Sequence, residues 1–170
     1  PYSEGRVAYV RLNRVSDNMQ DADYRKGVLK ALNKEEILEA AYGSLEYATP
    51  SYSFLPKTNA HYTEDLEKFE QDLEASKELV AGGATKLSLC HVNEPAQNAQ
   101  AQVIQAQLKE VGIEVELFGL EQGAYMETAY DNEDKTYDMY LGGYIMTIDP
   151  AGYAGMFTTG NMINYANEEI

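Results

Sequence analysis

Apolar and polar positions along this chain follow two periods, and the period changes at recognisable punctuation. Arg6 to Leu12 is short and rich in β-formers, which predicts a strand. Asn13 to Asp21 is polar and turn-like. From Asp21 to Leu32 the residues Tyr24, Val28, Ala31 and Leu32 recur at helical spacing. Gly27 inside that helix costs up to about 1 kcal/mol relative to alanine, and a close packing contact would account for it. Asn33 followed by Glu36 is a variant of the capping box, so a second helix is predicted from Lys34 to Tyr42. Ile37, Leu38 and Ala41 face inward there, and Gly43 supplies the left-handed stop. Ser44 to Tyr62 carries two prolines, several tyrosines and no helical period, which predicts a long surface loop. Thr63 is the expected cap of a third helix, with Glu64 and Asp65 at its positive end. Leu66, Phe69, Leu73 and Val80 are its apolar stripe, and Gly82-Gly83 stops it.

The second half reads as strand–helix–strand units. Lys86 to Val92 is a strand. Asn93-Glu94-Pro95 turns into a helix from Ala96 to Val111, with Val103, Ile104, Leu108 and Val111 on one face and Gly112 after it. Ile113 to Phe118 alternates apolar and acidic residues, the pattern of a strand with one wet face. Gln122 to Tyr130 is a short helix and Asp131 to Lys135 a polar turn. Tyr137 to Leu141 is the last strand, followed by the glycine pair Gly142-Gly143. This order implies an α/β fold with neighbouring parallel strands and right-handed crossovers. Ligands of open α/β sheets collect at the carboxyl ends of the strands. Three segments meet that condition: His91 to Glu94, Phe118 to Gln122, and Gly142 to Asp149. The last is the densest in tyrosine, and its glycine pair suits a close backbone approach.

Composition narrows the functions. The 170 residues, 44% apolar, suffice for one domain with a core. The 28 acidic and 13 basic residues leave a net charge of −15, which argues against nucleic acid and against anionic lipid as partners. Fourteen tyrosines and no tryptophan suit a binding face, although most tyrosines are half-buried in any fold. No stretch of 18 apolar residues spans a membrane. The N-terminus has no basic segment followed by an apolar one, as a leader would. The chain opens directly into a strand and closes on what resembles a helix start, so it is expected to be an excised portion of a longer protein.

Catalytic chemistry finds little support. Glycine-rich phosphate loops and a nucleophile elbow are absent. Cys90 and His91 are adjacent in a strand and point to opposite faces, so they do not read as a metal or nucleophile pair. No cofactor and no metal site is expected. Asp131-Asn-Glu-Asp134 lacks the spacing of a calcium loop. Most other carboxylates (Glu64, Asp65, Glu67, Glu70, Asp72, Glu74, Glu78) read as a solvated helix face. Asp149 differs, standing before a proline near tyrosines at a strand's carboxyl end. It is either a turn aspartate capping its own backbone or a pole for a cationic group.

With these motifs in place the chain resembles the extracytoplasmic solute-binding proteins of peptide and nickel ABC transporters, the oligopeptide-binding family. Asp21 to Glu39, then Gly43 and Pro50, follow one family stretch. Val103 to Val115 (Val-Ile-Gln-Ala-Gln-Leu-Lys-Glu-Val-Gly-Ile-Glu-Val) is the most specific match. Tyr137-Asp-Met-Tyr-Leu-Gly-Gly-Tyr144 resembles the family's Tyr-Asp followed by Gly-Trp, Asp149-Pro150 its Asp-Pro, and Asn164 to Ile170 a later segment. The resemblance implies a class II periplasmic-binding-protein-like lobe with a mixed, largely parallel sheet. Residues 1–170 would be a truncated C-terminal lobe, lacking its N-terminal lobe and C-terminal continuation. It implies no catalysis. It implies capture of oligopeptides, or a nickel chelate or other small solute, in an inter-lobe cleft and delivery to an ABC permease. Peptide sensing on the same fold is the alternative role. The location implied is extracytoplasmic, in a periplasm or as a cell-surface lipoprotein. The implied ligand wall is Tyr140, Gly143, Tyr144, Ile145, Met146, Thr147 and Asp149. Many peptide-binding members have an aspartate for the ligand's ammonium where this chain has Thr147, so either Asp149 takes over or the ligand lacks a free amino terminus.

Overall fold

The computed structural model describes residues 6–57, 59–131, 133 and 136–145. Their elements, in chain order, are β1 (Arg6–Leu12), a 3-10 turn (Asp17–Met19), α1 (Ala22–Lys30), α2 (Lys34–Tyr42), α3 (Leu73–Val80), β2 (Lys86–Val92), α4 (Pro95–Glu110), β3 (Glu114–Leu120), α5 (Gln122–Ala129) and β4 (Met139–Ile145). The strands form one sheet in the order β1-β4-β2-β3. β2 is parallel to both β3 and β4, and β1 lies antiparallel on β4, so the sheet is mixed and largely parallel.

The sequence order predicts neighbouring parallel strands, and β2 and β3 obey. β4 does not lie beside β3; the chain passes back over β2 and inserts β4 on its far side. Handedness explains the layout. A right-handed crossover that steps one way across a sheet lays its helix on one face, and a step in the reverse direction uses the other. Leu87, Leu89, Met139 and Leu141 accordingly face the main core with Ile104 and Leu108 of α4. Cys90 and Tyr140, the intervening positions, face a second cluster with Tyr125 and Ala129 of α5.

The first helices hold as expected, with details the sequence does not carry. Asn33 Oδ1 accepts the Glu35 and Glu36 amides at 3.1 and 3.2 Å, and Gly43 ends α2 at φ 73°. The reciprocal half of the capping box goes elsewhere. Gln107 of α4 accepts the Asn33 N–H at 3.0 Å and donates to Glu36 at 2.8 Å, fastening α2 to α4. Gly27 is a packing glycine: a β-carbon there would lie 2.7 Å from Val80 Cγ1 and 2.8 Å from Leu79 Cβ of α3.

The third helix is shorter than predicted. Asp72, not Thr63, is its cap, accepting the Ala75 amide at 3.0 Å, while Thr63 Oγ1 makes only a local turn with the Asp65 amide. Residues 63–71 stay irregular, with Leu66 exposed. Glu64, Glu67 and Glu70 would repel at i, i+3 spacing, and two apolar residues do not offset this. The chain is held instead by side chains: Lys34 Nζ donates to the Phe69 carbonyl at 2.7 Å and Gln71 to that of Ala31 at 3.1 Å. The acidic residues named for this face are solvent-exposed all the same.

Candidate functional site

β4 is the central element of the site. It starts and ends later than the sequence suggests, so Gly142 and Gly143 lie inside the strand, opposite Tyr9 and Ala8 of β1. Its amino end is pinned by Asp138. This buried carboxylate accepts the Ser88 amide and hydroxyl at 2.8 and 2.9 Å, Asn18 Nδ2 at 3.1 Å and the Ser16 hydroxyl. In the sequence Asp138 stands out only through the Tyr137-Asp138 pair of the family resemblance; its burial depends on Ser16 and Ser88, which are remote in the chain.

The glycine pair makes its close approach inward. A β-carbon on Gly142 would sit 2.8 Å from the Tyr125 hydroxyl and 2.9 Å from that of Tyr9. Burial is the main reason both phenols are pushed far above the usual tyrosine range. Tyr140 is likewise an interior residue at 1% exposure. The Arg11 guanidinium lies 4.4 Å from its ring centre, and Tyr125 and Tyr137 meet it edge-on. Tyr140 therefore supports the strand from behind.

Toward the carboxyl end the strand opens. Tyr144 is half-buried, stacked on Phe54 at 4.8 Å and tilted against Tyr9 at 6.0 Å, and its hydroxyl donates to the Phe54 carbonyl. The loop of residues 44–57 thus reaches the sheet. Ile145 is exposed. Met146, Thr147 and Asp149 lie outside the described residues.

The sheet itself splits here. β2 and β4 pair at Leu89–Met139 and Cys90–Tyr140 and no further, although β2 runs on to Val92 and β4 to Ile145. Each strand keeps its outer partner: β2 pairs with β3 to Val92–Leu120, and β4 pairs with β1 to Ile145–Arg6. The hydrogen bonds show why. The Asn93 N–H reaches the Leu120 carbonyl at 2.8 Å, so Val92, one residue earlier, turns its backbone groups toward β4. Its N–H is taken by Gln97 Oε1 at 3.0 Å and its C=O by the Glu94 N–H at 2.8 Å. On β4 the Asn13 N–H reaches the Asp138 carbonyl at 2.7 Å, which turns the even positions toward β1 and the odd ones toward β2. The Leu141 carbonyl and the Gly143 amide are thereby left without a partner on β2.

Residues 1–165 match the family described as bacterial extracellular solute-binding proteins, family 5 (middle region). The chain belongs to this family. Among solved structures it is similar to the ABC transporter substrate-binding protein CtaP of Listeria monocytogenes, with 33% identity and a TM-score of 0.91 over 98% of this chain and 35% of that one. AppA of Clostridium difficile is similar at 34% identity and a TM-score of 0.91, over 99% of this chain and 36% of that one. The dipeptide-binding protein of Escherichia coli K12 is 28% identical over 139 residues, 76% of this chain and 26% of that protein. The chain therefore spans about a third of the solved relatives and a quarter of the curated one. The fold of family 5 is a binding fold, and the pairing of β2 with β4 stops toward their carboxyl ends, where open α/β sheets take ligands.

The other candidates look different in place. His91 is buried, with Nδ1 3.0 Å from the Val92 carbonyl, and Cys90 is packed into the tyrosine cluster. No group of three His, Cys, Asp or Glu side chains that could hold a metal occurs among the described residues. A hollow of about 300 Å³ lies at the start of α2, lined by Lys34, Tyr52 and Glu70. Lys34 is already engaged there, 3.9 Å over the Tyr52 ring. None of the described helices is long and apolar enough to cross a membrane.

Proposed function

We propose that this chain is one lobe of a two-lobe peptide-binding protein serving an ABC importer, and that an extended peptide adds to the free edge of β4. The carrying observation is the arrested ladder. A carbonyl at Leu141 and an amide at Gly143 face a gap beside a strand whose backbone they do not meet. Strand addition satisfies such an edge with the main chain of any peptide, whatever its side chains. Gly143, Tyr144 and Ile145 form the described part of the wall, supported by Tyr140; Met146, Thr147 and Asp149 are the further ligand residues that the family resemblance implies. The half-exposed Tyr144 and Phe54 rings offer flat apolar area for ligand side chains. The second wall comes from the other lobe, and the complex is delivered to the permease outside the cytoplasm. The relative named for dipeptides supports the ligand class.

Calorimetry of the full-length protein with short peptides tests the reading. Saturable binding is expected, and N-methylation of one central peptide bond should weaken it by about tenfold, the worth of one well-placed hydrogen bond. Affinity indifferent to N-methylation at every position would rule out strand addition. Equal binding of free-amine and acetylated peptides would exclude an ammonium anchor at Asp149.

A further inference from the structure

A parallel ladder that stops while both strands continue needs a cause, and the hydrogen bonds of Val92 supply one. Gln97 stands in the first turn of α4, beyond the end of β2, and is 9% exposed. Its Oε1 accepts the Val92 N–H at 3.0 Å, the bond that the Leu141 carbonyl would otherwise make. Its Nε2 donates to Glu94 Oε1 at 3.1 Å, which holds the amide group in one orientation. The same turn places the Glu94 N–H on the Val92 carbonyl at 2.8 Å. Both backbone groups that could zip β2 onto β4 are therefore satisfied within residues 91–97, His91 Nδ1 also lying 3.0 Å from the Val92 carbonyl. Buried backbone groups must find partners, so capping Val92 removes the incentive to close the gap at no cost in unsatisfied donors.

We propose that Gln97 is a positioning residue: by capping Val92 it holds β2 off β4 and keeps the edge at Leu141 and Gly143 open for a ligand's main chain. This rests on the strand-addition reading of the arrested ladder, but the wedge has a signature of its own. Without the cap, the Val92 N–H is free to bond the Leu141 carbonyl, and the advancing ladder brings the Gly143 amide onto the Val92 carbonyl, the donor whose exchange reports the closure. The protein itself then competes with the ligand for the same acceptor.

The test uses the full-length protein with Gln97→Met, which keeps length and volume but removes the acceptor, and Gln97→Glu, which keeps an acceptor oxygen. Hydrogen exchange of the segment 141–145 is followed without ligand, beside peptide affinity. Gln97→Met should slow exchange in that segment and weaken peptide binding about tenfold or more, as two competing backbone bonds imply. Gln97→Glu should retain fast exchange and most of the affinity. Unchanged exchange in ligand-free Gln97→Met overturns the wedge, whether or not affinity falls, because a fall alone would reflect ordinary destabilisation. Slowed exchange in a protein that binds no peptide, variant or wild type, would uphold the wedge and refute the ligand class. Should Gln97→Met fail to fold, Gln97→Glu decides: slowed exchange with the acceptor still present refutes the capping role.

Discussion

Gly142 carries information that its neighbours in the sequence hide. In a string of Leu-Gly-Gly-Tyr the glycines read as a loop that lets something approach. In the fold one approach is by two tyrosine hydroxyls of the protein, 2.8 and 2.9 Å from where a β-carbon would stand. The prediction belongs to that contact. Gly142→Ala should destabilise the protein by about 1–3 kcal/mol, the usual cost of overpacking. Tyr9→Phe with Tyr125→Phe should recover much of the loss, because it removes both opposing oxygens. Urea denaturation of the single, double and triple variants measures this coupling; additive losses would show that the hydroxyls are not the obstacle. Asp138 teaches a related lesson. A carboxylate that accepts hydrogen bonds from Ser16, Asn18 and Ser88 looks, in sequence, like any turn aspartate.

At the scale of elements, periodicity located the helices better than it located their ends. α2 begins and stops where Asn33 and Gly43 say it should, because caps act within a few residues. α3 starts later than its apolar stripe suggests: its cap is Asp72, nine residues beyond Thr63, and Leu66 stays exposed. The α1–α3 contact sets up a contest of two magnitudes. Gly27→Ala gains up to about 1 kcal/mol of helix propensity. It also drives a methyl against Leu79 Cβ, which cannot rotate aside, and Val80 Cγ1. Overpacking costs about 1–3 kcal/mol, so the net change should be a loss. A raised midpoint in thermal unfolding would mean that the two helices separate freely.

For the molecule as a whole, buried phenols link stability to alkaline pH. Tyr24 donates to the Ala84 carbonyl at 2.7 Å and is pushed up to about 12, mainly by burial and then by the Asp138 charge. Tyr9 and Tyr125 are raised further, again mainly by burial. An unfolded tyrosine loses its proton near pH 10. Between about pH 10 and 12 the unfolded state therefore binds fewer protons than the native state, and stability falls as pH rises. Melting temperatures measured from pH 8 upward should stay level to about pH 10 and then drop. The net charge of −15 makes each new phenolate less welcome. A level profile through pH 12 would contradict the burial of these three rings.

The split between what was legible and what was not follows the range of the forces involved. The sequence by itself determined the strands, the helix starts with local caps, the α/β class and the family, because hydrophobic period, capping and turn chemistry act over a few residues. Only the tertiary structure decided that β4 inserts beside β2, that Tyr140 faces inward, and that Gly142 makes room for Tyr9 and Tyr125. The arrested ladder is likewise a tertiary fact. Strand propensity allows β2 and β4 to pair to their ends, and a glutamine five residues beyond Val92 in the chain keeps them apart. Which backbone groups go unpaired is settled by competition among partners brought together by folding, and no local pattern records the outcome.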